Sequence, residues 1–197
     1  MNLQDDALNS PDRDIRKDFL LQTFQSTENS SEKKVEIFTR ALQDKHDSMR
    51  NLSIEYLSSM YEKSDNFNFK EILVSLLKIE PIWSVKFLIL KKISKFNLDV
   101  TDNSELILKM THELKPQIRI AAAEVLVSFP PEKQEESHIN RLLELWKDKD
   151  ESVRKQLEIL LSSSENPKIK EFIADYEKKL AEKEKKKKDI AGMFEGI

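Results

Sequence analysis

The chain, 197 residues long, contains no cysteine. That absence removes disulfides, thiolate nucleophiles and cysteine metal sites together, and leaves the redox compartment open. Glycine is almost as scarce, occurring only at Gly192 and Gly196, so no earlier position offers a cheap positive φ. Tight β-hairpins and phosphate-cradling loops depend on that freedom, so a β-rich or nucleotide-binding fold is not expected. No apolar run approaches the roughly 20 residues that span a bilayer. The opening stretch MNLQDDALNSPDRD lacks the basic and apolar regions of a secretory leader, and a cytoplasmic protein is the expectation. An excess of positive charge is missing too: the formal net charge is −3, so no global field draws the chain to nucleic acid or anionic lipid.

What the chain does contain is charge and a repeat. Apolar residues make up 39% and charged residues 35%, which is too apolar for wholesale disorder. A bulky aliphatic followed by a base returns five times: Ile15-Arg16, Met49-Arg50, Val85-Lys86, Ile118-Arg119 and Val153-Arg154. The bases stand 34, 36, 33 and 35 residues apart, the length of one helical hairpin. Six residues before the base come Ser10, Asp44, Glu80, Glu113 and Asp148, and seven after it come Thr23, Leu57, Ile93, Leu126 and Leu161. The first copy departs at both places, as terminal repeats often do.

In segments such as DKDESVRKQLEILL and KPQIRIAAAEVL this register resembles the HEAT-repeat family, over roughly residues 10–161. The resemblance implies an all-α fold, a right-handed α-solenoid of about five HEAT-like helical hairpins with a C-terminal capping helix. It also implies an ion-pair ladder in which each acid bonds the base of its own or the neighbouring repeat. The acids would be Asp44, Glu80, Glu113 and Asp148, and the bases Arg50, Lys86, Arg119 and Arg154. The copy with Glu80 and Lys86 is expected to be looser, because lysine cannot offer a carboxylate the fork of arginine.

First helices of the hairpins are predicted over 32–42, 69–77, 104–114 and 137–146, where apolar residues recur near the helical period. The stretches SSMYEKSDNFN, KFNLDVTDNS and SFPPEKQEES read as breaks between repeats. Pro167 opens a further helix whose apolar face, Ile169, Phe172, Ile173, Tyr176 and Leu180, is expected to cap the stack. The resulting organisation is a flexible start at 1–9, a repeat domain at 10–164, a capping helix at 165–180 and a charged extension with an apolar tail at 181–197. In the tail, Ile190, Met193, Phe194 and Ile197 are spaced as one helical face, a pattern suited to docking in a groove.

Chemistry is sparse. His46, His112 and His138 fall at unrelated register positions without helical ligand spacing and read as chance surface residues, and no serine stands in a nucleophile elbow. No cofactor, metal or catalytic site is expected. The alkylpurine DNA glycosylases and phycobilin lyase-like proteins are enzymes built on HEAT-like repeats, and the former need a basic groove with aromatics. Trp83, Phe87, Lys86, Lys91, Lys92 and Lys95 offer such a cluster, but residues 101–135 carry four bases against six acids and would interrupt the track. Trp83 stands three before its base, where other repeats have Arg13, Asp47, Pro116 and Glu151, and a large aromatic at a polar register position suits a binding hot spot. Trp146 ends an apolar stripe and is expected in the core. The reading is therefore a non-enzymatic protein-binding scaffold, with Trp83, Phe87, Lys91, Lys95, Ile190, Met193, Phe194 and Ile197 as partner-binding residues. A nucleic-acid-binding or base-repair protein is the alternative.

Overall fold

The computed structural model describes residues 7–64 and 67–175, with positions 178 and 182. Among these the regular structure is helical, with no strand. The helices are α1 (Arg13–Gln25), α2 (Ser31–Ala41), α3 (Asp47–Lys63), α4 (Phe69–Ile79), α5 (Trp83–Lys95), α6 (Ser104–Met110), α7 (Pro116–Val127), α8 (Glu136–Leu145) and α9 (Glu151–Ser162). Residues 167–175 are also helical. Each repeated base falls in the first turns of α1, α3, α5, α7 or α9, so the five-fold pattern marks the second helix of each hairpin.

Local chemistry sets the helix starts. Asp12, Ser30 and Asp150 accept backbone N–H bonds from the first turns of α1, α2 and α9. Pro116 opens α7, where its missing N–H costs nothing. In α8 the Glu135 side chain accepts an N–H of the first turn while His138 accepts the N–H of Glu135, a reciprocal cap. With glycine absent, the stop of α5 falls to Asn97, the only described non-glycine residue with positive φ, at 47°. Asn97 N–H donates to the Ser94 carbonyl and Leu98 N–H to the Ile93 carbonyl, the two bonds of a Schellman cap.

The chain divides into two compact units, Met1–Leu106 and Ile107–Ile197. In the first, α2 packs on α1 and α3, α4 on α3 and α5, and the second helices stack α1 on α3 on α5. The positions seven after each base, Thr23, Leu57 and Ile93, are buried here, together with Leu20, Ile54, Leu73, Ile89 and Leu90. Helix α3 continues through Lys63, across half of the stretch read as a break. Tyr61 packs there edge-on to Phe67 and Phe96 and tilted on Phe69, so tertiary packing extends a helix that the polar local composition would end.

In the second unit α7, α8 and α9 pack on one another, and Ala121, Ala122 and Ala123 are fully buried, small enough for close helix approach. Ile169 is fully buried and the Phe172 ring lies 5.8 Å from that of Trp146, so the helical turns after Pro167 cover the end of the last hairpin. Trp146 itself is half-buried. Gln134 bridges this region: its amide donates to the Leu126, Val127 and Phe129 carbonyls at the end of α7, and its oxygen accepts from Asn166 at 2.7 Å. Tyr176, Leu180, Ile190, Met193, Phe194 and Ile197 lie outside the described residues.

Candidate partner-binding surface

The repeated acids and bases form the ladder, with a division of labour the sequence does not reveal. Arg16 forks onto Asp44 at 2.5 and 3.0 Å, Arg50 onto Glu80 at 2.8 and 2.7 Å, and Arg119 onto Asp148 at 2.9 and 2.8 Å. Each fork reaches the acid of the following repeat. The remaining NH1 of Arg16, Arg50, Arg119 and Arg154 donates to the carbonyl six residues back, that of Ser10, Asp44, Glu113 and Asp148. In the first copy the Ser10 carbonyl accepts from Arg16 and the Ser10 Oγ accepts the Asp12 N–H at 3.2 Å. The acids also accept the N–H two residues on, from His46, Ile82 and Asp150. Glu80 receives a full arginine fork from Arg50, so the acid of the third copy is firmly held whatever Lys86 binds.

These groups hold the repeats rather than perform chemistry. Burial raises the Asp44 pKa, but the Arg16 fork, the His46 N–H and the nearby positive charge outweigh it and leave the carboxyl below its ordinary value. Asp148 behaves in the same way against Arg119. The Arg50 pKa is raised, chiefly by its hydrogen bonds to Glu80. A charge locked in this state is a poor acid or base near neutral pH.

The cluster on α5 is partly self-neutralised. Lys92 pairs with Glu55 of α3 at 2.7 Å, and Lys95 pairs with Glu62, whose carboxyl is held below its ordinary pKa by that hydrogen bond and charge. Phe87 and Lys91 are half-buried on the same helix, and Lys95 is exposed. Trp83 begins α5 and is 44% exposed. The structure thus gathers Trp83, Phe87, Lys91 and Lys95 on one helix and spends the charge of Lys95 on an internal pair.

Trp83 belongs to a larger apolar corner. Glu80 and Ile82 are extended around Pro81, at φ −69°, ψ 121° and φ −87°, ψ 123°, as a residue before proline must be and its neighbour here is. That short turn holds Ile79, Ile82 and Trp83 outward at 65%, 38% and 44% exposure. Beside it, two adjoining hollows between α2 and α4, of about 300 and 280 Å³, share Leu42, Gln43, Leu76 and Ile79 as walls. Thr39 lines the larger one, and its buried Oγ1 has no hydrogen-bond partner. Sequence reasoning missed Ile79 and Ile82. The available signal was their place at a proline turn, outside the buried stripe of Leu73, Leu76 and Leu77.

His138 is not a surface residue: it is 2% exposed, edge-on to Phe129 at 5.7 Å, and burial lowers its pKa against the opposing charge of Glu135. Among the described residues no His, Asp or Glu group is placed to hold a metal, and no helix is long and apolar enough to cross a membrane.

No family model and no curated protein matches the chain. Among solved structures it resembles a designed armadillo repeat protein in complex with the peptide (KR)4, at 15% identity and a TM-score of 0.60, covering 87% of this chain and 85% of that one. The fold is thus that of a helical-repeat α-solenoid, as the repeated register implies.

Proposed function

We propose that this chain is a non-catalytic protein-interaction scaffold of the HEAT-like type that grips an apolar segment of a partner protein at the Ile79–Trp83 corner. The observation that carries this reading is the exposed Ile79, Ile82 and Trp83 on a proline-restrained turn beside the hollow between α2 and α4. A preformed apolar knob next to an apolar groove binds at low ordering cost, and large aromatics dominate interface energetics. Two helices per repeat fit a HEAT-type hairpin rather than a three-helix repeat. That a protein of the same fold holds a peptide supports peptide binding as a use of it. The basic character of that peptide does not transfer, since Lys92 and Lys95 consume the nearby acids Glu55 and Glu62. The tail residues Ile190, Met193, Phe194 and Ile197 fit a second contact by their spacing alone, and a cytoplasmic location fits the whole reading.

Displayed-peptide selection against the full chain, followed by calorimetry on Trp83→Ala and Ile82→Ser, tests the proposal. The selected peptides should carry apolar anchors and lose at least about tenfold in affinity, the scale of one hot-spot residue. Equal binding by both variants would move recognition elsewhere.

A further inference from the structure

At the opposite end of the first hairpins lies a smaller pocket of about 170 Å³ with a different chemistry. Among the described residues, two of its lining side chains are cations, Lys34 of α2 and Lys63 at the end of α3, and none is acidic. Both are organised around Phe24. The Lys34 ammonium donates to the Phe24 carbonyl at 3.0 Å and the Lys63 ammonium stands 5.8 Å over the Phe24 ring. Phe24 is fixed in turn by stacking on Tyr56, with centroids 4.4 Å apart and planes at 12°. Lys34 therefore uses one of its three N–H donors on the protein, and Lys63 makes a cation–π contact. The hydroxyl residues Ser31 and Ser64 and the apolar Met60 and Phe67 complete the wall. Lys92 and Lys95 near the end of α5 are by contrast both paired with carboxylates.

We propose that this pocket recognises an anionic side chain, carboxylate or phosphate, flanked by an apolar residue in a peptide partner. Two ammonium groups with spare donors supply the charge complement, and the serine hydroxyls supply further hydrogen bonds to its oxygens. Phe67 and Met60 provide the apolar wall, which a free inorganic anion leaves unused and a flanking apolar residue covers. Exclusion of water by that residue strengthens the ion pairing. The volume suits one side chain rather than a whole small-molecule ligand, which occupies roughly 300–1,000 Å³. Glu32 is the nearest competitor in the sequence of α2, but its carboxylate is engaged with its own N–H and the Ser30 hydroxyl. Only the assignment of a peptide, rather than a free anion, rests on the scaffold reading.

The test uses the full ¹⁵N-labelled chain and four probes: capped peptides holding Phe-Asp, Phe-phosphoserine or Phe-Asn at their centre, and inorganic phosphate alone. The Asp or phosphoserine peptide, whichever source the site serves, should shift the amides of Ser31, Lys34 and Ser64 and bind at least about tenfold more tightly than the Asn peptide. That binding should weaken as salt rises from about 0.05 to 0.5 M. Lys34→Gln/Lys63→Gln should abolish the preference, while Trp83→Ala, in the other site, should leave it intact. Equal binding of the Asn peptide, salt-independent binding or an unaltered double variant would overturn the site. Phosphate binding as tightly as the peptides would overturn the peptide assignment alone. Because Trp83→Ala is measured in parallel, failure of the corner and failure of this pocket read out separately.

Discussion

Arg50 and Glu80 show how much rests on single side chains. The arginine is 10% and the glutamate 1% exposed, and between them they make the fork, the carbonyl bond to Asp44 and the cap on Ile82. Removing one partner strands a buried charge, so Arg50→Ala should lower unfolding stability by about 3–5 kcal/mol in urea titration, whereas a surface pair is worth about 0–1. A loss below 1 kcal/mol would mean that solvent reaches the carboxylate. The same groups set the acid limb of stability. Asp44 and Asp148 have folded pKa values below the unfolded 3.8, so their contribution is intact above about pH 4 and is lost as pH falls through the folded values. His138, held neutral below its unfolded 6.5, contributes fully above that pH and loses stability as pH falls from there toward its folded pKa. The urea midpoint should therefore decline in two stages, the upper one absent in His138→Gln. A flat profile from pH 7 to 4.5 in the natural protein would contradict the histidine's part.

At the scale of elements, the telling feature is how helices end without glycine. Asn97 takes the left-handed position that closes α5, at φ 47°. Asparagine tolerates that region better than other side chains, and a Cβ without local hydrogen bonding costs roughly 1–2 kcal/mol there. Asn97→Ala should lower stability by about 1 kcal/mol, and Asn97→Gly should be neutral or slightly stabilising, measured by thermal or urea unfolding. Equal losses in both variants would assign the effect to the asparagine side chain instead of the backbone. Helix α3 makes the complementary point. Its polar last turns persist because Tyr61 joins an aromatic cluster with Phe67, Phe69 and Phe96, drawn from outside the helix.

For the molecule as a whole, charge bears on partner class. The net charge is −3, and Lys92 and Lys95 of the α5 cluster are paired with Glu55 and Glu62. Binding to nucleic acid should therefore be no tighter than the non-specific range of about 10⁻⁴ to 10⁻⁶ M at physiological salt, measured by fluorescence anisotropy with duplex and single strands. Submicromolar affinity would revive the nucleic-acid reading, and cleavage of alkylated bases would promote the base-repair alternative.

The sequence by itself determined the repeat length, the second helices and their buried register. Aliphatic–base pairs at 33–36 residue spacing must fall on one helical face each time, and five copies of one pattern constrain one another. It also marked Trp83 as out of place. Only the tertiary structure decided which acid each arginine grips, because the choice between its own and the next repeat depends on how hairpins stack, and the answer is both: carbonyl behind, carboxylate ahead. The burial of His138 arose in the same way, from packing against Phe129 some nine residues earlier. So did the two candidate sites, since Ile79 meets Leu42 only when separate hairpins come together, and Lys34 meets Lys63 only when α2 and α3 fold back on one another. Periodicity reports which face of an element is covered; it carries no information about the exposed residues that stacking brings side by side.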